Sequence, residues 1–217
     1  MLLMVAATSF ELESLQASGP KRPPWLTLLS GVGPVEATYN LTTFLAHLPS
    51  LPQAVINFGL AGAFPDSDLG LLDLCLAEGE VLADLGIVYL DRIDPLPAAI
   101  APPREFACDP SLLTMAGEIL ATAGLPFRRG RFVTLSGGSG TRSRSESLRD
   151  SCQAICENME GGALARVCQG FGVPFLELRC ISNLAIDRAE QVWQAGAAAR
   201  RCGQAAVILA EGLGCDH

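Results

Sequence analysis

Lysine is nearly absent from this chain. Of 217 residues 15 are basic, and Lys21 is the only one of them that is not arginine. Chemistry that rests on an amine, whether a Schiff base or a P-loop lysine on phosphate, has that one residue to use. Histidine is scarce too, with His47 and His217 alone, and none of the eight cysteines forms a C-x-x-C pair. The closest two, Cys152 and Cys156, stand one helical turn apart. The usual zinc ligand sets are therefore missing, and neither a metal nor an organic cofactor is expected. No apolar run reaches the roughly 18 residues that begin to suggest a membrane span. The opening MLLMVAATSFELE lacks a basic start and reaches glutamates at once, so a secretory leader is not expected. The cysteines then read as reduced packing thiols of a cytoplasmic protein. A formal charge of -8 supplies no general field for nucleic acid or an anionic membrane, and neither is expected as a partner.

What is present is apolar surface to bury: 49% of the chain is hydrophobic, enough for one domain over residues 1–217 and too little length for two comfortable ones. Apolar runs at 2–7, 25–30 and 54–58 read as strands. Helices are expected at 9–16 and 35–48, the first opened by Thr8 with Glu11 three residues on, the spacing of a capping box. Further on, 71–77, 81–82, 131–135 and 174–180 read as strands, and 110–123, 160–171 and 188–213 as helices. The stretch SGGSGTRSRSES reads as a glycine-rich polar loop. Strand, turn and helix in this alternation favour an α/β sheet covered on both faces. None of the glycine turns matches G-x-G-x-x-G or a P-loop, which argues against those two modes of nucleotide binding.

Three polar residues sit beside strand ends in apolar settings. Glu11 follows the first strand, Glu160 precedes two glycines in ENMEGG, and Asn183 closes ISN. A carboxylate in apolar surroundings can act as a general base. The plain alternatives are that Glu11 caps a helix, Glu160 meets a helix dipole and Asn183 forms a turn.

Four segments, VAATSFELE, SGVGPVEA, INFGLAGAF and ENMEGGALARVCQGFGVPFLELRCISN, resemble the purine nucleoside phosphorylase and nucleosidase superfamily. More narrowly they resemble the futalosine hydrolases, which remove hypoxanthine from futalosine in the alternative menaquinone pathway. The similarity covers nearly the whole chain and is weakest over 87–130. It implies a three-layer αβα sandwich around a central mixed β-sheet, with a homo-oligomer as the assembled state. It also implies roles, residue by residue. Glu11 would activate water, Glu160 would bind the ribose hydroxyls, and Met159 would lie under the sugar. Leu60, Ala61 and Gly62 would form the loop beside the reacting centre, while Thr134, Ser136 and Thr141 would make base-side or loop contacts. Asn183 falls where adenine-specific relatives carry an aspartate that protonates N7. Asp187, one helical turn past Asn183, is a second candidate proton-handling group or, alternatively, a helix cap, and the family's Arg-Asp order is reversed here as Asp187-Arg188. The loop also departs from the pattern by its Gly137-Gly138-Ser139 insertion and by Arg142 and Arg144, which are alternatively anion contacts or solvated side chains.

The amide at 183 matters because hypoxanthine carries a carbonyl where adenine carries an amino group. Asn can donate to that oxygen and accept from a protonated N7, so a 6-oxopurine nucleoside such as futalosine is the expected small-molecule substrate. Three readings stay open: cleavage of methylthioadenosine, S-adenosylhomocysteine or aminofutalosine, phosphorolysis, and nucleoside binding without turnover. Phosphorolysis needs cationic donors near the first glycine turn, and SGVGPVEA has none. A binding module would not need Glu11.

Overall fold

The computed structural model describes residues 1–89 and 92–214. Cys215 and His217, which entered the reading of thiols and metal ligands, lie outside the described residues. In chain order the elements are β1 (Leu2–Ala6), α1 (Ser9–Ser18), β2 (Leu26–Leu29), α2 (Pro34–His47) and β3 (Ala54–Ala63). Then come β4 (Leu74–Leu82), β5 (Ile87–Val88), β6 (Ile93–Asp94), β7 (Glu105–Ala107), α3 (Pro110–Thr122) and β8 (Phe127–Thr134). The chain continues through α4 (Arg142–Cys152), β9 (Ala154–Asn158), α5 (Gly161–Phe171), β10 (Phe175–Leu184), a 3-10 turn at Arg188–Glu190 and α6 (Ala195–Gly214).

Eight strands make one mixed sheet in the order β10-β4-β8-β9-β3-β1-β2, with β7 on the edge of β4. Because β10 also pairs with β3, five strands close into a ring. Side-chain alternation sorts the core into layers. In β1, Leu3 and Val5 pack towards Ala37, Leu41 and Leu45 of α2 and Leu164 and Cys168 of α5. Leu2, Met4 and Ala6 face the other way, into a cluster with Leu15 of α1, Ala116 and Leu120 of α3, and Cys202, Ala206 and Leu209 of α6. The result is an α/β sandwich whose central mixed sheet is covered on both faces. Seven cysteines, 75, 108, 152, 156, 168, 180 and 202, are buried free thiols. Among the described residues no helix is long and apolar enough to cross a membrane.

Several element boundaries differ from the sequence reading. The glycine run 59–62 is strand, not turn, because Gly59 through Gly62 pair with Arg179 through Asn183 of β10. The polar loop turns into helix α4, whose first turn is capped by the Thr141 side chain accepting from the Arg144 N–H. Strand β9 was not anticipated. The final helix begins at Ala195, since 185–194 run irregularly around the 3-10 turn.

Candidate active site

The sheet is interrupted on one side of β3. Strand β1 pairs with it only as far as Asn57, and β9 joins only at Gly62 and Ala63. In the gap the backbone of Leu60 is satisfied by side chains instead. Its N–H donates to Glu11 Oε1 at 2.9 Å and its carbonyl accepts from Arg179 Nη1 at 3.2 Å. A cavity of about 500 Å³ opens here, and Glu11, Leu60, Ala61, Gly62, Met159, Glu160 and Asn183 all line it.

Glu11 serves the helix and the cavity together. Its Oε2 accepts from the Thr8 N–H (3.0 Å) and hydroxyl (2.8 Å), completing the capping box with Thr8. Burial leaves it 5% exposed, yet each carboxylate oxygen keeps accepting capacity beyond these bonds. Across the cavity, Glu160 Oε1 accepts from the Gly33 N–H at 3.0 Å. Gly33 has φ +89°, a backbone conformation that glycine adopts without a Cβ penalty. Burial pushes the Glu160 carboxyl above its usual range; Arg179 and the Gly33 N–H pull it back, and Glu11 and Glu177 push it further up.

Arg179 joins the two walls from inside the sheet. It is 1% exposed and reaches Glu177 Oε1 (2.8 Å), Asn158 Oδ1 (3.3 Å) and Glu160 Oε2 (3.5 Å). Burial alone would make the guanidinium a stronger acid, but Glu177, Glu160 and Glu11 hold it above its ordinary value. Beneath it lies a second carboxyl, Glu80, which accepts from Asn158 Nδ2 (2.5 Å) and Thr134 Oγ1 (2.8 Å). Burial and the Glu177 carboxylate push Glu80 well above the usual carboxylate range, against the Thr134 and Asn158 bonds. Among the described residues Glu177 Oε2 has no hydrogen-bond donor, and a proton held on Glu80 keeps a further negative charge out of the core.

A consequence can be measured. Glu80→Gln, which mimics the protonated acid, is expected to fold with wild-type stability at low pH. A folded-state value above the unfolded one means the native state holds its proton longer. Wild-type stability therefore falls relative to Glu80→Gln as pH rises from the ordinary carboxylate range through the raised Glu80 value. Denaturant titrations across pH should show this divergence, and parallel curves would mean that Glu80 is ionised in the fold.

At the other end of the cavity, Asn183 and Ser182 come from β10. Ser182 Oγ donates to Asn183 Oδ1 at 2.9 Å, and Asn183 Nδ2 donates to the Leu184 carbonyl at 3.4 Å. Glu157 of β9 and Ser139 line the same region. Glu157 Oε1 accepts from the Ser139 N–H (2.8 Å), and its Oε2 lies 2.5 Å from the Ser139 hydroxyl.

Four expected site residues lie elsewhere. Thr134 is buried beneath the cavity and does not line it; its hydroxyl donates to Glu80 and accepts from the Gly162 N–H at 2.7 Å, so it holds the start of α5. Ser136 is exposed and gives its N–H to Asp84. Asp187 is exposed and accepts from the Arg142 N–H at 3.1 Å. The helical turn that was to bring Asp187 beside Asn183 does not exist, because Asn183 belongs to a strand. Thr141 caps α4, and Arg144 reaches the Gly137 carbonyl.

The sequence reading passed over Arg179, Glu157 and Ser139. A signal for the first was available: Glu177 and Arg179 alternate within an otherwise apolar strand. Side chains two apart share a face, and charges buried there have to be paired. Glu157 and Ser139 offered none, since β9 was not recognised. Among the described residues no cluster of histidine, cysteine, aspartate and glutamate is arranged to hold a metal.

Comparison with known proteins gives a consistent picture. A profile of the phosphorylase superfamily matches residues 18–213. The futalosine hydrolase of Thermus thermophilus is 33% identical over 208 residues, 89% of this chain and 88% of that protein. A 5'-methylthioadenosine/S-adenosylhomocysteine nucleosidase of Halalkalibacterium halodurans is 32% identical over 163 residues, 73% of this chain and 67% of that protein. The solved structure of a futalosine hydrolase mutant of Helicobacter pylori shares the fold with a TM-score of 0.82 at 22% identity, covering 97% of this chain and 98% of the other. The Campylobacter jejuni 5'-methylthioadenosine/S-adenosyl homocysteine nucleosidase does so with 0.81 at 19%, covering 98% and 97%.

Proposed function

The chain belongs to the phosphorylase superfamily, and we propose that it acts there as a hydrolytic purine nucleosidase whose substrate is futalosine. The observation that carries this reading is one cavity with Glu11 and Glu160 at one end and Asn183 at the other. Glu11 meets β3 at Leu60 and Asn183 lies against Gly62, about 7 Å further along the strand at roughly 3.3 Å per residue. That separation suits a ribose and its base. Glu160 binds the ribose hydroxyls, with Met159 under the sugar. As the glycosidic bond stretches, positive charge develops on the anomeric carbon between two buried carboxylates. Glu11 takes the proton from the attacking water. Asn183 donates to the 6-oxo group of the leaving hypoxanthine and accepts from N7–H. The route calls for no metal or organic cofactor.

Water is favoured over phosphate as nucleophile by charge and by occupancy. The Gly33 N–H, at the first glycine turn, is taken by Glu160, and Arg179 is spent on protein acceptors. Glu11, Glu160 and Glu177 around that arginine would repel a phosphate dianion. Cleavage of methylthioadenosine or S-adenosylhomocysteine is the second reading, supported by the 32% identity to a nucleosidase of that name; Asn183 argues against it. The test is base release from futalosine, aminofutalosine, inosine and methylthioadenosine. Futalosine is expected to give the highest kcat/KM, and faster release from a 6-amino nucleoside would turn the assignment to the second reading.

Asn183→Asp addresses the same point from the protein side. A carboxyl suits an amino base, so the ratio of kcat/KM for 6-oxo over 6-amino substrate is expected to fall by about 10-fold or more, from the 1–3 kcal/mol at stake when a buried polar group loses its partner. An unchanged ratio would remove Asn183 as the specificity residue. The protein is further proposed to be cytoplasmic, in keeping with its free thiols. It is proposed to pair with a second copy of itself through the exposed apolar side chains Val32, Val35 and Tyr39, of which Val32 also borders the cavity. Light scattering at micromolar concentration should report more than one protomer, and a monomer would contradict this.

A further inference from the structure

The hydrolytic reading leaves one proton unaccounted for: a purine departs best with a proton on N7, and Asn183 has none to give. Accepting that reading, we propose that Glu157 is the acid that protonates the departing base, with Ser139 positioning it.

Three observations lead there. Glu157 and Asn183 flank the same glycine from the same cavity: a Cβ on Gly62 would lie 3.4 Å from Glu157 Cγ and 3.2 Å from Asn183 Nδ2. A base held by Asn183 therefore lies beside this carboxyl and not beside Glu11. Second, the Ser139 N–H donates to Oε1, so an acid proton resides on Oε2. There the Ser139 hydroxyl donates to the carboxylate and can turn to accept once the acid is protonated, which suits both states. Third, burial pushes Glu157 above its usual range, against the Ser139 bonds and the Arg144 charge. Arg144 and Ser139 are the groups that set its ionisation locally. Arg188 borders the same cavity, with Glu11, Glu160 and Arg179 at the ribose end.

The step balances without another reactant. The C1'–N9 bond breaks and its electron pair passes to the purine, while Glu157 Oε2 gives its proton to N7. A water oxygen bonds to C1' and its proton goes to Glu11. Glu157 ends as carboxylate and Glu11 as acid, and exchange with solvent restores both.

The experiment is the pH dependence of kcat for base release by the wild type, Glu157→Gln, Glu157→Asp and Ser139→Ala. The wild type should lose activity on the alkaline side as Glu157 ionises. Glu157→Gln should lower kcat by about 100-fold and erase that limb. Glu157→Asp should restore part of the rate with the limb present, and Ser139→Ala should move the limb to higher pH, because a carboxylate stabiliser is gone. Unchanged thermal midpoints and unchanged inhibition by free hypoxanthine would confirm that each variant folds with an intact base pocket. A Glu157→Gln enzyme that keeps more than a third of kcat, or keeps the alkaline limb, overturns the proposal and leaves the hydrolase reading standing. A wild-type enzyme that releases no base from any purine nucleoside overturns both.

Discussion

Glu11→Gln is expected to lower kcat by about 10²–10⁴-fold, the usual weight of general-base catalysis, while binding of free purine base stays near wild type. The amide keeps an oxygen for the Leu60 N–H, so the cavity wall is preserved, but it cannot take a proton from water. The same change also costs some stability. Glu11 Oε2 accepts from both the backbone and the hydroxyl of Thr8, and an amide NH2 turned towards two donors breaks the capping box. That loss is about 0.5–2 kcal/mol, visible as a shift in denaturation midpoint and far too small to explain the rate. Steady-state kinetics with parallel denaturation separates the two roles. Near-normal turnover in a folded Glu11→Gln enzyme would remove Glu11 as the base and leave it a helix cap.

The largest stability effect is expected at Arg179. Arg179→Met fills the same space but strips the counter-charge from Glu177, which is 0% exposed, and from Glu160, 4% exposed. Breaking a buried pair by deleting one partner costs about 3–5 kcal/mol, a large share of the stability of a single domain. Turnover should fall with it, because Glu160 would lose the cation that favours its carboxylate and Leu60 would lose the donor to its carbonyl. Arg179→Lys should rescue little, since a point charge on a flexible stem cannot reproduce a planar fork serving four acceptors. The cause is separable: adding Glu177→Gln to Arg179→Met should recover part of the lost stability, because the stranded charge is then gone. Denaturation of the single and double variants forms the cycle. Additive losses would mean that charge pairing is not what Arg179 contributes.

The parts of this molecule written in local signals were legible from the chain. Thr8 and Glu11 at capping-box spacing, Asp109 and Pro110 opening α3, and the unbroken apolar run of β1 all encode their structure within a few residues. The site itself depends on pairings between distant segments. Gly59–Gly62 look like a turn by composition and become strand only because β10 lies alongside them. That pairing is also what converts Asn183 from a turn residue into one wall of a cavity and leaves Asp187 outside it. Strand β9 has a weak signal, AICEN, directly after a helix of almost wholly polar composition, and its role is fixed by β8 and β3 on either side. Glu157 could not be recognised before that strand was. The cavity carboxylates Glu11 and Glu160 were reachable because the resemblance supplied the long-range pairing that local chemistry does not encode.

Which molecule attacks the anomeric carbon separates hydrolysis from phosphorolysis. Futalosine turned over in phosphate-free buffer made with ¹⁸O-water should release hypoxanthine at full rate, and the ribosyl product should carry one ¹⁸O at its anomeric hydroxyl, with added phosphate changing neither result. Release that requires phosphate and yields a sugar phosphate without the label would contradict it.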